Sequence, residues 1–198
     1  MRKRYILTGG IASGKSTVSN LLKLYNIEII DADKISKNVF SRNIKKIQEI
    51  FDTKLTGNKL RAFIADIIFT NPKDKLRFEQ FIHPKIRNII SKKEKAFQVK
   101  NILYVVDIPL YFETKQFKEN DFVILVKVPY EIQLTRLIKR NGLSKEEANK
   151  RILSQLPTAI KEKSANYIID NSKTLEELSK QIENLIVYIK GDYGENSL

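Results

Sequence analysis

Cysteine and tryptophan are absent from this chain of 198 residues, and histidine and methionine occur once each. Without thiols there can be no disulfide, no thiolate nucleophile and no cysteine-based metal site, a composition compatible with a reducing compartment. No apolar run is long enough to span a bilayer, so no membrane partner is expected. Arg2-Lys3-Arg4 precedes apolar residues, but Thr8-Gly9-Gly10 interrupts them far short of a signal-peptide core; a cytoplasmic location follows as the expectation. The seven glycines and five prolines form no repeat, low-complexity segment or interdomain linker. Acidic residues are also short, 23 against 36 basic, for a formal charge of +13. That excess admits a nucleic-acid-dependent ATPase as one reading. No recognisable RNA or DNA motif and no aromatic stacking platform accompanies it, so no nucleic-acid partner is expected. Lysine greatly outnumbers arginine, and compositional drift accounts for part of the charge.

What is present is a soluble, globular composition, 42% hydrophobic and 30% charged. Its length suits one unit over 1–198 with embedded insertions rather than two independent domains. Directly after the first apolar run stands Gly9-Gly10-Ile11-Ala12-Ser13-Gly14-Lys15-Ser16, followed by Thr17. This is a complete Gly-x-x-x-x-Gly-Lys-Ser phosphate loop, and Val18, Leu21 and Leu22 recur behind it at helical spacing. Glycine lets the backbone curl so that successive N–H groups converge on phosphate oxygens at a helix N-terminus. Gly10, Ile11, Ala12, Ser13, Gly14, Lys15, Ser16 and Thr17 are therefore expected to hold ATP. Lys15 reaches the β and γ phosphates, and Ser16 ligates Mg²⁺.

Five segments read as strands: Tyr5 to Leu7, Ile27 to Ile30, Ile102 to Val106, Phe122 to Val128, and Tyr167 to Ile169. They are mostly continuous apolar runs, as in a parallel sheet covered on both faces, and helical patterns separate them. The class is α/β. Residues 34–101 show only helical pieces: one begins at Asn71-Pro72, another runs from Lys85 to Lys100, and His83-Pro84 reads as a helix start. After the fourth strand, Asn141-Gly142 turns the chain, and Ser144 with Glu147 forms a capping box. That makes 139–156 a small helical lid. A second capping box, Thr174 with Glu177, opens a last packing helix over Leu178, Ile182, Leu185, Ile186 and Ile189, and the tail from Gly191 to Leu198 is expected to fray.

The acids and arginines then sort the chemistry. No Asp-x-x-Gly and no Asn-Lys-x-Asp occurs, which argues against a GTPase. Asp107 ends the third strand as an acid able to hold Mg²⁺ through water; alternatively it caps a following helix. Asp33 stands where the second strand ends and can orient an acceptor hydroxyl or take its proton, with Asp31 as the turn-forming acid. Arg140 and Arg151 are lid cations, with Arg136 at the lid base, because mobile arginines neutralise transferred charge and close the site to water. The sole histidine, His83, reads by itself as a cap or packing residue.

Together these residues resemble the dephospho-coenzyme A kinase family. The resemblance runs nearly end to end: Leu7 through Thr17, Asp31-Ala32-Asp33, His83-Pro84 with Arg87, Asp107-Ile108-Pro109-Leu110 with Phe112-Glu113, Gln133-Leu134-Thr135-Arg136-Leu137, Arg140, Arg151 with Gln155, and Ile168-Ile169-Asp170-Asn171. It implies a three-layer P-loop kinase fold with a five-stranded parallel sheet, a helical acceptor-binding insertion over 34–101 and a lid. It also implies transfer of the ATP γ-phosphate to the ribose 3′-hydroxyl of dephospho-CoA, with Asp33, Lys15 and Arg140 catalytic. Asp33, His83, Arg87, Leu110 and Glu113 then surround the acceptor. The expected protein is a monomer, with a weak homo-oligomer as the alternative. A kinase of nucleoside monophosphates is the nearest rival. The chain departs from the family pattern at Leu60, Asn166 and Ser172 and is shortened between 34 and 60.

Overall fold

A computed structural model of the protein describes residues 3–114 and 120–195. In chain order the elements are β1 (Arg4–Gly9), α1 (Lys15–Leu24), β2 (Glu28–Asp31), α2 (Ala32–Arg42), α3 (Ile44–Ile50), α4 (Gly57–Thr70) and α5 (Pro72–Val99). They continue with β3 (Tyr104–Asp107), β4 (Asp121–Lys127), α6 (Tyr130–Asn141), α7 (Lys145–Leu153), α8 (Thr158–Ser164), β5 (Tyr167–Asp170) and α9 (Leu175–Glu195). The chain divides into two compact units, Met1–Ile30 with Phe97–Leu198, and Asp31–Ala96.

The first unit holds the five-stranded parallel sheet, in the order β2-β3-β1-β4-β5. Central β1 is apolar without alternation because both of its faces are covered; Ile6 and Leu7 are fully buried. Parallel pairing sets Leu7 opposite Asp107 and Gly9 opposite Val126, so the phosphate loop and Asp107 emerge together at the carboxyl edge of the sheet. That is the edge where ligands bind in folds of this class. The core joins Tyr5, Leu7, Val18, Leu22, Ile124 and Val126 to Ile182, Leu185, Ile186 and Ile189 of α9. At the start of α9 the Thr174–Glu177 capping box forms in both directions. The expected frayed tail is corrected in part: α9 continues through Gly191 to Glu195, and residues 196–198 lie outside the described residues.

Asn166 is a departure with a clear purpose. Its side-chain oxygen accepts from the Val123 N–H at 2.8 Å, tying the residue before β5 to β4. Any side chain with an oxygen acceptor of that reach can make this bond. Ser172 turns toward Asp170, its backbone N–H donating to Asp170 Oδ1 at 2.9 Å with its side chain also bonding that carboxylate.

Apart from Asp31, the last residue of β2, the second unit holds only helices and their connections among its described residues. Its core gathers Phe40, Ile47, Leu60 and Ile64, with Phe51, Phe78 and Phe81 packed against them. Leu60 is fully buried there, so at this departure from the family pattern stands an apolar core residue. The neighbouring Arg61 lies over the Phe40 ring, 4.7 Å from its centroid, and donates to Ser41 Oγ at 2.8 Å. One expectation fails in this unit. His83-Pro84 does not start a helix, because α5 is a single helix of 28 residues with Pro84 inside it. Pro84 removes one backbone donor, and the remaining ladder of so long a helix carries the chain past it. The expected start at Asn71 does hold: its side chain accepts from the Lys73 and Asp74 N–H groups at 3.0 and 3.4 Å.

Candidate active site

The phosphate loop is built from backbone that most residues avoid. Ala12 and Gly14 have φ of 58° and 86°, in the left-handed region. At Gly14 a side chain would also collide: a Cβ there would lie 2.0 Å from Asn171 Nδ2. At α1 the N-cap Gly14 has no side chain to offer, and no acid stands in the first helical turn. Thr17 N–H turns back to Gly14 O at 2.9 Å, and no side chain caps the N–H groups before it, which with the positive end of the dipole suit an anion. Ser13 Oγ, buried in the loop, also lacks a hydrogen-bond partner. Ser16 and Thr17 are exposed at the start of α1.

Beside the loop lies a charged cluster. Lys15 Nζ pairs with Asp107 Oδ1, while Ser19 Oγ donates to Asp107 Oδ2 at 3.1 Å. Asp107 is the last residue of β3 and is only 7% exposed. No helix follows it for it to cap: Pro109–Thr114 forms turns, held by Ile108 N–H donating to Leu7 O at 2.9 Å and Thr8 Oγ1 donating to Pro109 O at 3.0 Å. The sequence reading missed Ser19. It lies one helical turn after Lys15, a spacing that puts both on one face, but a lone serine in a helix carries little signal. Just beyond, Tyr111 donates to Asp121 Oδ2 at 2.6 Å, and burial with that bond raises its phenol well above the usual range.

A second set of side chains braces the loop itself. Gln133 Nε2 on α6 donates to Ile11 O at 2.6 Å, and Gln155 Oε1, just past α7, accepts from Ile11 N–H at 2.8 Å. Asn171 Nδ2 donates to Ser13 O at 2.9 Å, and Arg136 Nη2 donates to Asn171 O at 3.0 Å. Arg136 is thereby placed beside Gly14. The helices α6 and α7 form a hairpin: Gly142 closes α6 at φ 64°, and the Ser144–Glu147 capping box opens α7. Its small core of Leu134, Leu137 and Ala148 also takes in Ile11 and Ala12 from the loop. Arg140 and Arg151 are both exposed on this hairpin; Arg140 Nε donates to Asn141 Oδ1 at 2.9 Å.

Leu110 is 42% exposed. Glu113 is committed to neighbours instead: its Oε1 accepts from Leu156 N–H at 3.1 Å and meets Lys161 Nζ at 2.6 Å. Lys161 is 1% exposed, a buried cation that sequence alone could not distinguish from the many surface lysines of this basic chain. Within the second unit Asp31 caps α2, accepting from Lys34 N–H at 2.8 Å, while Asp33 is exposed in the first turn of that helix. His83 and exposed Arg87 lie one turn apart on α5. Burial is the main cause that lowers the His83 imidazole below its ordinary value; Arg87 adds to the effect and Glu79 opposes it.

Comparison with known proteins meets this geometry from another side. A family model for dephospho-CoA kinase matches residues 5–177. The dephospho-CoA kinase of Sulfurimonas denitrificans is 40% identical over 191 residues, covering 96% of this chain and 95% of that protein. Among solved structures, the dephospho-CoA kinase from Campylobacter jejuni is similar with a TM-score of 0.75 at 30% identity, over 97% of this chain and 100% of the other. A shikimate kinase from Acinetobacter baumannii, with a TM-score of 0.52 and 17% identity over 95% of this chain and 94% of its own, shares the fold.

Proposed function

The chain belongs to the dephospho-CoA kinase family, and we propose that Lys15, Asp33 and the arginines of the α6–α7 hairpin carry its reaction. The reaction is phosphorylation of the ribose 3′-hydroxyl of dephospho-CoA by ATP, giving CoA and ADP. The observation that carries this reading is the uncapped N-terminus of α1 with Lys15 held against Asp107 at the edge of the sheet. It offers the donor phosphates converging N–H groups and a cation already aimed by a carboxylate.

Mg²⁺ fits the oxygen donors present. Asp107 offers a carboxylate and Ser16 a hydroxyl, and Mg²⁺ commonly takes one or two protein ligands together with substrate phosphates and water. Among the described residues no group of three or more His, Cys, Asp or Glu forms an alternative metal site. When bound, the ion neutralises charge shared by the β and γ phosphates. Lys15 and the loop amides bind and orient those phosphates. Asp33 orients the acceptor hydroxyl and accepts its proton, while Arg140 and Arg151, on a lid spanning 139–156, offset charge on the transferred group and exclude water. Arg136 faces the nucleotide from the lid base.

In the insertion of residues 34–101 the acceptor-binding roles fall to His83 and Arg87, and in the segment after β3 to Leu110 and Glu113. Because one oxygen of the Glu113 carboxylate already accepts from Leu156 N–H and ion-pairs Lys161, this residue serves chiefly to hold the segment after β3 in place. The enzyme works in the cytoplasm as a monomer. No helix among the described residues is long and apolar enough to cross a membrane.

A panel of acceptors with ATP and Mg²⁺ tests the proposal. Dephospho-CoA is expected to be phosphorylated in preference to every nucleoside monophosphate; the reverse order would overturn the assignment.

A further inference from the structure

The two glutamines that grip Ile11 come from opposite ends of the α6–α7 hairpin. Gln133 sits near the start of α6, before the hairpin turns, and Gln155 follows the end of α7, where the chain leaves it. One donates to the Ile11 carbonyl and the other accepts from the Ile11 N–H, so the two peptide groups that flank this one loop residue are each held by a glutamine. The bonds also settle which amide atom points where, since a carbonyl needs a donor and an N–H needs an acceptor. Gly10 must be small to allow this arrangement: a Cβ on it would meet Gln133 Nε2 at 2.7 Å and Gln155 Oε1 at 3.7 Å.

The next residue along the exit is anchored as well. Leu156 N–H donates to Glu113, which the buried Lys161 ion-pairs. Successive residues at the hairpin exit are therefore tied to two walls of the phosphate site, the glycine loop and the segment after β3. Gly10, Gln133, Gln155 and Leu156 line an open pocket of about 490 Å³, while Ile11 and Ala12 pack on the hairpin core of Leu134, Leu137 and Ala148, so the two glutamines add directed bonds to that packing.

We propose that Gln133 and Gln155 are positioning residues that hinge the α6–α7 hairpin on the backbone of Ile11, so that nucleotide seated in the loop orders the hairpin as well. Gln155 is the critical partner, because it links the exit of the hairpin directly to loop backbone. This rests on the lid role given to the hairpin above. Its consequence is that Gln155 sets how the γ-phosphate divides between acceptor and water, a division that a loosened lid shifts toward water.

The test uses ADP as probe and hydrogen–deuterium exchange as readout, with no acceptor present. In the native chain ADP is expected to slow exchange in both the loop and the hairpin. In Gln155→Leu the loop remains protected by ADP and the hairpin loses its protection. Gln155→Glu keeps an acceptor for the Ile11 N–H and retains protection in both places; it also supplies the measurement if Gln155→Leu does not fold. Hairpin protection that survives in Gln155→Leu overturns the proposal, as does loss of hairpin protection in Gln155→Glu or loss of loop protection in Gln155→Leu. Turnover provides a second arm: Gln155→Leu lowers transfer to dephospho-CoA by about 10- to 100-fold, with KM for ATP changed less than about threefold. The ratio of ATP hydrolysis to transfer rises. A native chain that transfers nothing to dephospho-CoA would remove the assigned function while leaving the exchange result to stand or fall by itself.

Discussion

The first unit and the second present their candidate residues in opposite ways. In the first, the side chains around the phosphate loop are interlocked: Lys15 and Ser19 on Asp107, Gln133 and Gln155 on Ile11, Asn171 on Ser13, Arg136 on Asn171. In the second, Asp33 and Arg87 are exposed on helix surfaces, and the order of that unit comes from the apolar cluster around Phe40, Ile47, Leu60 and Ile64. Under the proposed roles the contrast follows from what each unit binds. A triphosphate is small, dense in charge and always the same, so fixed donors stabilise it most. A larger acceptor, as proposed for the second unit, would be met by side chains on a helical surface whose stability does not depend on them. The exposed arginines of the α6–α7 hairpin stand between these cases, since their scaffold is braced while their side chains are exposed.

The sharpest break of this comparison is Lys15→Ala. It removes the cation from the preformed cluster and is expected to lower kcat by about 10³-fold, with the melting temperature changed by only a few degrees; steady-state kinetics with thermal unfolding checks both. Next comes Asp33→Asn, expected to lower kcat by about 10²-fold while leaving ADP affinity unchanged by calorimetry. A variant that turned over normally would take Asp33 out of the mechanism. Gly14→Ala follows, and it strikes the loop through backbone geometry and a steric clash. It forces an alanine to φ 86° with its Cβ against Asn171. The expected cost is roughly 1–3 kcal/mol, with weaker ADP binding, whereas a glycine-to-alanine change at Gly57, whose Cβ meets nothing within 4 Å, leaves ADP binding intact.

The smallest effect is a pH dependence in the second unit. Since burial lowers the His83 pKa in the folded chain, the folded state holds fewer protons than the unfolded state just below the ordinary histidine value. Stability contributed by neutral His83 is complete above about pH 6.5 and declines as the pH falls from there toward the lowered folded value. Melting curves from pH 7 downward are expected to show that decline, and His83→Gln to flatten it. An equal slope in the two proteins would place the acid sensitivity elsewhere.

Much of this was legible beforehand because the signals are local. Strand segments in the first unit are continuous apolar runs, and the capping boxes at Ser144 and Thr174 act over three residues, so their positions could be read directly. The break expected at His83-Pro84 failed for a reason of scale: proline disfavours helix at one position, while α5 carries bonds along 28 residues and outweighs it. Lys161 illustrates the opposite limit. Nothing in its neighbourhood along the chain distinguishes it from an exposed lysine, and its pairing with Glu113 spans 48 positions that only folding brings together. Ser19 lies nearer, yet its partner Asp107 is also remote in sequence.

By itself the sequence determined the α/β class, the phosphate loop with Lys15 and Ser16, and the strand-end acid Asp107, because each follows from periodicity or from a short motif whose spacing the chemistry requires. The tertiary structure alone decided what holds that loop. Two glutamines, an asparagine and a buried lysine take on meaning only when distant segments meet, since a hydrogen bond has a range of about 3 Å and carries no trace in the spacing of the chain.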